Sequence, residues 1–303
     1  MSFLYMLEKI RIPVLNELML AVTTLGEETA FLVIALIIFW CVDKKKGYYV
    51  MAVGFAGTII NQILKLACRV PRPWVLDPNF TILEQAREAA AGYSFPSGHT
   101  QTAVGTFGSI AAFTDRKWLR FACIFLAITV GFSRMYVGVH TPADVLTGAA
   151  CALLLVFMFK KPVLSGSVKG MKFMIAAVMS MAILLLLYVE LWQFPLDMDP
   201  HNMASGYKNA YAMIGCVAGA AIVYVVDLKW LHFSTEGKWW IQIVKTVLGL
   251  GLVLAVKEGL RAPLEMILPV YPARAVRYFL IVVTAGTIWP MSFQYFSKIG
   301  VKK

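Results

Sequence analysis

Charge is scarce in these 303 residues: 15% are Asp, Glu, Lys or Arg, against 59% that are apolar. An ordinary soluble domain carries about a quarter charged residues, so the balance, with a mean hydropathy of +0.71, excludes a free water-soluble globule. Cysteine is sparse too. Cys41, Cys68, Cys123, Cys151 and Cys216 fall mostly in apolar runs, lack metal-ligand spacing and are read as packing residues. No Cys/His or carboxylate cluster asks for zinc, and there is neither a Gly-rich nucleotide loop nor a dinucleotide fingerprint. No metal and no cofactor are therefore expected. The net charge of +11 comes without a basic helix or an aromatic-interleaved patch, which argues against nucleic acid and for anionic membrane lipids as its partner.

What the chain has in quantity is apolar runs of the length that crosses a bilayer, about 20 residues each. Nine are placed, near 29–42, 48–67, 98–114, 118–137, 143–159, 172–192, 209–226, 239–256 and 275–296. The fold class is all-α, a polytopic membrane helical bundle of about nine transmembrane helices. Residues 1–25 are apolar but carry Glu8, Lys9, Arg11, Pro13 and Glu17, which suits an amphipathic helix lying in the interface. They make a poor signal peptide, with no basic start and no small-residue cleavage site.

Orientation follows from the 28 Lys and Arg: 15, including Lys44, Lys45, Lys46 and the terminal Lys298, Lys302 and Lys303, fall on one side, 12 on the other, and Lys245 within a span. Positive charge marks the cytoplasmic side. The imbalance sharpens once Lys65, Arg72 and Arg134 are set aside as site residues, and the three stretches that hold them then face outward.

Those stretches carry the chemistry. In the first, the second span ends at Lys65-Leu66-Ala67-Cys68-Arg69-Val70-Pro71-Arg72-Pro73. Pro71 stops the helix at Val70 and leaves Lys65 about one turn inside. Arg72, between two prolines, is a restrained guanidinium suited to bidentate contact with a phosphoryl group, whereas Lys65 supplies a point charge or simply snorkels. In the second, Pro96-Ser97-Gly98-His99 opens a span. Ser97 caps a helix whose first N–H groups attract phosphate, Gly98 admits the anion, and His99 lies in the first turn. The plain alternative is an ordinary capped helix. In the third, Ser133-Arg134 is followed by His140, Thr141-Pro142 and Asp144. Thr141 caps the next span with Pro142 at its first position and Asp144 in the first turn, one turn from His140. Asp144 is either a helix-start acid or the group that fixes the His140 tautomer and frees the other ring nitrogen as a nucleophile, with Arg134 on a phosphate oxygen.

Together these blocks resemble the type-2 phosphatidic acid phosphatase superfamily, whose signature is lysine six residues before Arg-Pro, then Pro-Ser-Gly-His, then Ser-Arg, five residues, His, three residues and Asp. All three match, over roughly residues 26–160. The resemblance implies a six-helix-type phosphatase core and a metal-independent mechanism through a phosphohistidine. His140 would attack phosphorus, Asp144 would orient it, and His99 would protonate the leaving oxygen and then activate water. Lys65, Arg72, Arg134 and the Ser97 and Gly98 amides would bind the substrate and its equatorial oxygens.

The expected division is an interfacial helix over 1–25, a core over 26–161 and a four-helix membrane extension over 162–303, joined by a cytoplasmic linker at 162–172. The loop over 74–93, with Asp77, Glu84, Arg87 and Glu88 and a helical stretch over 81–91, is read as a headgroup selector or a solvated lid. Charges in the outer loops of the extension, Glu190, Asp197, Lys257, Glu258, Arg261, Glu265, Arg274 and Arg277 among them, are read as solvated or interfacial, with a lateral lipid groove or homodimer face as the alternative.

The expected activity is hydrolysis of a lipid phosphate or diphosphate at the outer face of the cytoplasmic membrane. Undecaprenyl diphosphate, phosphatidic acid and phosphatidylglycerol phosphate are the candidate substrates. A headgroup or phosphoryl transferase and a glucose-6-phosphatase-like enzyme are rivals within the resemblance. A non-catalytic lipid-phosphate binder or transporter is the rival outside it, but it has little use for His99, His140 and Asp144 together.

Overall fold

The computed structural model describes residues 1–87, 90, 92–195 and 198–298. Glu88, Asp197, Lys302 and Lys303 lie outside them, as does the Lys298 side chain. Every regular element among the described residues is helical: α1 Ser2–Lys9, α2 Pro13–Thr23, α3 Glu28–Cys41, α4 Lys44–Cys68, α5 Pro73–Leu76, α6 Gly98–Phe113, α7 Lys117–Tyr136 and α8 Pro142–Leu164. The second half adds α9 Val168–Leu191, α10 Pro200–Val226, α11 Trp239–Gly259, α12 Arg261–Ile267, α13 Val270–Val283, α14 Trp289–Met291 and α15 Phe293–Lys298.

Among the described residues seven stretches are long and apolar enough to cross a membrane, and α2 with its following 3-10 turn plus α3, bent by 54°, make an eighth if they form one span. The expectation of about nine thus resolves to seven or eight. The difference from nine lies in α6, whose 16 residues reach only about 24 Å against a hydrocarbon layer of about 30 Å, although it runs the length of the bundle, from beside Asn61 near the end of α4 to Phe113 under Lys46 at the start of α4. It runs inside the bundle, packed on α4, α7 and α8.

Local sequence sets the helix ends as physical chemistry requires. Asp43 caps α4 by accepting from the Lys46 N–H at 3.0 Å, and α4 stops with Arg69 in the left-handed region at φ 51, just ahead of Pro71. Thr141 and Asp144 form a reciprocal capping box at the start of α8, with Pro142 at the first position. The expected linker at 162–172 is shorter than proposed. The α8 helix runs on through Pro162, and the turn is confined to Ser165-Gly166-Ser167, where Gly166 takes φ +70 and Ser167 caps α9.

A single long interfacial helix over 1–25 is not what forms. The chain breaks between Ile10 and Ile12 ahead of Pro13, giving α1 and α2, and both pack against α7. Tyr5 Oη donates to Asp77 at 2.8 Å, Arg11 donates to the carbonyls of Tyr136 at 3.0 Å and Thr81 at 2.8 Å, and Tyr136 Oη donates to Asn16 at 2.8 Å. The N-terminal segment therefore backs the functional end of the bundle.

In the extension, α10 packs along α13. Gly215 and Gly219, four residues apart, face Ala275 and Phe279 so closely that a β-carbon at Gly215 would collide with the Ala275 carbonyl. Small residues at this spacing let two membrane helices approach backbone to backbone. The one lysine expected within a span, Lys245, is buried, donates to the Trp40 carbonyl at 3.1 Å and lies 4.1 Å over the Phe293 ring.

Candidate active site

The end of α4, the start of α6, the end of α7 and the start of α8 converge at one end of the bundle. At their centre is His140, which follows a turn made possible by Gly138 at φ +89. His140 is almost wholly buried. Arg72 Nη1 lies 2.9 Å from His140 Nε2 and also donates to the Val139 carbonyl at 2.9 Å. A guanidinium only donates, so Nε2 accepts and the ring proton resides on Nδ1. Burial, then the positive charges of Arg72, Arg134 and Lys65, hold His140 well below the ordinary histidine pKa, so the ring is neutral.

On the other side of the ring the sequence reading needs a correction. Asp144 Oδ2 is 3.5 Å from His140 Nδ1, long for a direct hydrogen bond. The same oxygen accepts from the Thr141 N–H at 2.7 Å and from Ser94 Oγ at 2.6 Å, and Ser94 Oγ is 3.4 Å from Nδ1. The capping box draws the carboxylate toward the backbone, and Ser94 fills the space between acid and imidazole. Ser94 is fully buried. Its only sequence signal was its place three residues before the cap.

Lys65, in the last turn of α4, donates to the Tyr93 carbonyl at 2.5 Å, and Arg72 Nε donates to the Gly92 carbonyl at 2.9 Å. The loop over 74–93 is thus neither a free lid nor the helix expected over 81–91. A 3-10 turn, Glu84–Ala86, forms there, while 88, 89 and 91 lie outside the described residues. Phe80, Ile82 and Ala86 are buried, and the end of the loop holds two cations in place. Arg134 is completely buried; its Nη1 donates to Thr23 Oγ1 at 2.5 Å, while its Nε and Nη2 have no partner. Thr23, at the end of α2, carried no signal in the sequence because it is over 100 positions from the motif it serves.

Ser97 is also corrected. Its N–H donates to the Asp144 carbonyl at 3.0 Å, so the amide is not left for an anion, while its hydroxyl accepts from Thr100 and keeps its own proton to donate. The cause is close packing of α8 on this turn: a β-carbon at Gly148 would lie 2.6 Å from the Ser97 carbonyl oxygen. The Gly98 N–H, at the first position of α6, keeps no intrahelical partner.

His99 stands apart from the His140 contacts. Its Nε2 is buried without a hydrogen-bond partner, and the residue lines a cavity of about 360 Å³ with Gly98, Asn61 and Gln101. Asn61 donates to the Pro96 carbonyl at 3.3 Å and to Gln101 at 3.0 Å, tying α4 to the turn before α6. The structure therefore gathers Arg72, His140, Asp144 and Ser97 by direct contact. It places Lys65, Arg134, Gly98 and His99 around them.

A neutral, buried histidine with an accepting nitrogen, set in a field of cations on an all-helical multi-pass membrane bundle, defines a protein built to handle a phosphoryl group. Residues 45–163 match the model of the PAP2 superfamily, and residues 211–300 match that of the PAP2 superfamily phosphatase, transmembrane extension. Phosphatidylglycerophosphatase B of Bacillus subtilis is 31% identical over 166 residues, covering 50% of this chain and 76% of that protein. The chain belongs to the PAP2 superfamily. The undecaprenyl-diphosphatase BcrC of Bacillus subtilis is 33% identical over 39% of this chain and 58% of its own length, less than two thirds of that relative. An undecaprenyl-diphosphatase of Sulfolobus acidocaldarius is 27% identical over 55% of this chain and 80% of its own.

Proposed function

We propose that this protein hydrolyses a lipid phosphate or diphosphate through a phosphohistidine on His140, at the outer face of the cytoplasmic membrane. One observation carries the reading: His140 Nε2 accepts from Arg72 Nη1 at 2.9 Å, so the nitrogen that would attack phosphorus carries a lone pair, and the guanidinium engaging it is placed to turn to a phosphate oxygen. The relatives' names favour isoprenoid diphosphates and phosphatidylglycerol phosphate as the substrate class.

In the first half-reaction His140 Nε2 forms a bond to phosphorus while the bond from phosphorus to the lipid oxygen breaks. His99 gives that oxygen its proton, which is the use for a buried ring nitrogen with no resident partner. The His140 Nδ1 proton points to Ser94 and Asp144, which stabilise the charge the ring acquires. In the second half-reaction water, losing a proton to His99, attacks phosphorus and the P–N bond breaks, releasing phosphate and restoring the imidazole. Lys65, Arg72, Arg134 and the Gly98 N–H hold the equatorial oxygens, donors fixed in place before charge develops.

The test is phosphate release from isoprenyl diphosphate and phosphatidylglycerol phosphate by the detergent-solubilised protein with chelator present. Release is expected, along with an acid-labile phosphoryl label on the wild-type chain. His140→Ala is expected to lose both, with turnover down by at least about a thousandfold. Wild-type-like release by a folded His140→Ala protein would refute the mechanism.

A further inference from the structure

The outer-loop charges of the extension are not scattered. Lys208, Lys257, Arg261, Arg274 and Arg277 converge on one cavity of about 420 Å³ formed by α10, the α11–α12 junction and α13. Two carboxylates share it, and each is engaged: Glu258 pairs with Lys257 at 3.5 Å and Glu265 with Arg261 at 3.6 Å. Lys208, Arg274 and Arg277 form no ion pair among the described residues.

Arg274 is held in position, its Nε donating to the Lys208 carbonyl at 2.9 Å and its Nη2 to Tyr278 Oη at 3.3 Å. Arg277 is different. It is only 7% exposed, it makes no hydrogen bond or ion pair among the described residues, and its Nε is buried without a partner. Its recorded contact is the Tyr278 ring, 5.8 Å from the guanidinium carbon. Burying an unpaired guanidinium is costly, and an anion in the cavity removes that cost.

The cavity opens on the same face of the membrane as His140. Lys208 is followed by Asn209, which donates to Gln62 of α4 at 3.2 Å, one turn before Lys65. The tight α10–α13 contact at Gly215 and Gly219 lies just below and keeps the two walls together.

We propose that this cavity is a second anion site, binding a phosphoryl oxyanion that arrives either on a lipid headgroup or as free phosphate. Two guanidiniums and an ammonium that stand outside the Glu258 and Glu265 ion pairs match a doubly charged phosphate monoester better than a single carboxylate. The site is independent of the chemistry at His140, so a non-hydrolysing variant still binds there.

The full-length His140→Ala protein in detergent, titrated with dihexanoyl phosphatidic acid by calorimetry and native mass spectrometry, is expected to take up two molecules per chain. Arg277→Gln should weaken one of the two by about tenfold or more, the loss expected for a charge-assisted contact, and leave the other to be removed by Arg72→Gln. Should Arg277→Gln fail to fold, the double change Lys257→Gln and Arg261→Gln, at exposed positions, should weaken the same event by several-fold. Competition by inorganic phosphate distinguishes the sources: displacement of the lipid from the Arg277-dependent site assigns it to the bare ion, and retention of the lipid assigns it to the headgroup. A single binding event that Arg72→Gln abolishes, or two events that neither extension variant changes, would overturn the proposal. Loss of turnover without loss of the Arg277-dependent event would separate this site from the catalytic reading.

Discussion

Arg134 in the motif-bearing half and Arg277 in the extension are both buried guanidiniums with unpaired nitrogens, yet their neighbours differ. Around Arg134 no carboxylate forms an ion pair with it or with Lys65 among the described residues; a threonine hydroxyl holds the one and a loop carbonyl the other. Around Arg277 most of the adjacent cations are exposed, and two of the cavity's five cations are paired, Lys257 with Glu258 and Arg261 with Glu265. Like charges crowded together repel, and a fold that fixes them against neutral dipoles keeps them together. Asp144 beside His140 offsets part of that field, and the remainder is available to charge that appears during a reaction. The extension cluster, partly neutralised and open to solvent, is suited to holding an anion and not to transforming one.

The contrast breaks most visibly at Arg134. Arg134→Gln is expected to lower kcat by about 10²–10³-fold, the loss typical of one donor to a developing oxyanion, as read by phosphate release at saturating substrate. A drop of less than threefold would place Arg134 among the merely structural charges. Next comes the packing that holds the core cluster. Gly148→Ala inserts a methyl group against the Ser97 carbonyl, and overpacking of this kind costs about 1–3 kcal/mol. The thermal midpoint should fall, and activity should fall with it because the starts of α6 and α8 separate.

Acidity offers a subtler test. Burial and the surrounding cations disfavour the imidazolium, so the pKa of His140 lies below its ordinary value. The enzyme-borne acid limb of kcat/KM should therefore sit below about pH 6.5. Removing a positive neighbour, as in Arg134→Gln, should move the limb upward. Stability carries the same sign: as pH falls through about 6.5 the unfolded chain takes up a proton that the folded site refuses, so stability is lost on acidification. An acid limb unchanged by Arg134→Gln would dissociate His140 from that field. The smallest effect is expected at Lys245, buried in the extension against Trp40 and Phe293. Lys245→Met keeps the volume and removes an unpaired charge, so turnover should remain within about twofold and stability should be unchanged or higher. Loss of activity there would show that the extension is coupled to the site through its core.

Most of the catalytic end was legible in the sequence because its signals are local. Thr141-Pro142 with Asp144 reads as a capped helix start, and Pro71 as a stop, since each acts through the backbone of its own turn. Ser94, Thr23 and the Tyr93 carbonyl were not legible. Each meets its partner across a long chain separation, from Tyr93 to Lys65 and from Thr23 to Arg134, and nothing in a serine, a threonine or a carbonyl announces such a pairing. Ser97 was misread for the opposite reason. A helix N-cap implies free amides, but whether a neighbouring helix consumes one depends on tertiary packing, here permitted by Gly148. The α6 helix reads as a span by its apolar character and does run the length of the bundle, but its 16 residues fall short of a full crossing length and are packed among α4, α7 and α8. The extension cavity was invisible because its five cations come from helices separated by up to about 70 positions, and a charge in a loop looks the same whether it faces water or four others.

With His140 as the nucleophile of the proposed mechanism, the bond from Arg72 to its Nε2 would make the resting enzyme latent. An imidazole lone pair engaged by a guanidinium is unavailable to stray electrophiles among the surrounding lipids, and it becomes available only when something more anionic draws the guanidinium away. The substrate arms its own nucleophile. Discrimination against zwitterionic lipids then arises as a gate on reactivity, so a bystander lipid that occupies the pocket without displacing Arg72 leaves unchanged, however long it stays.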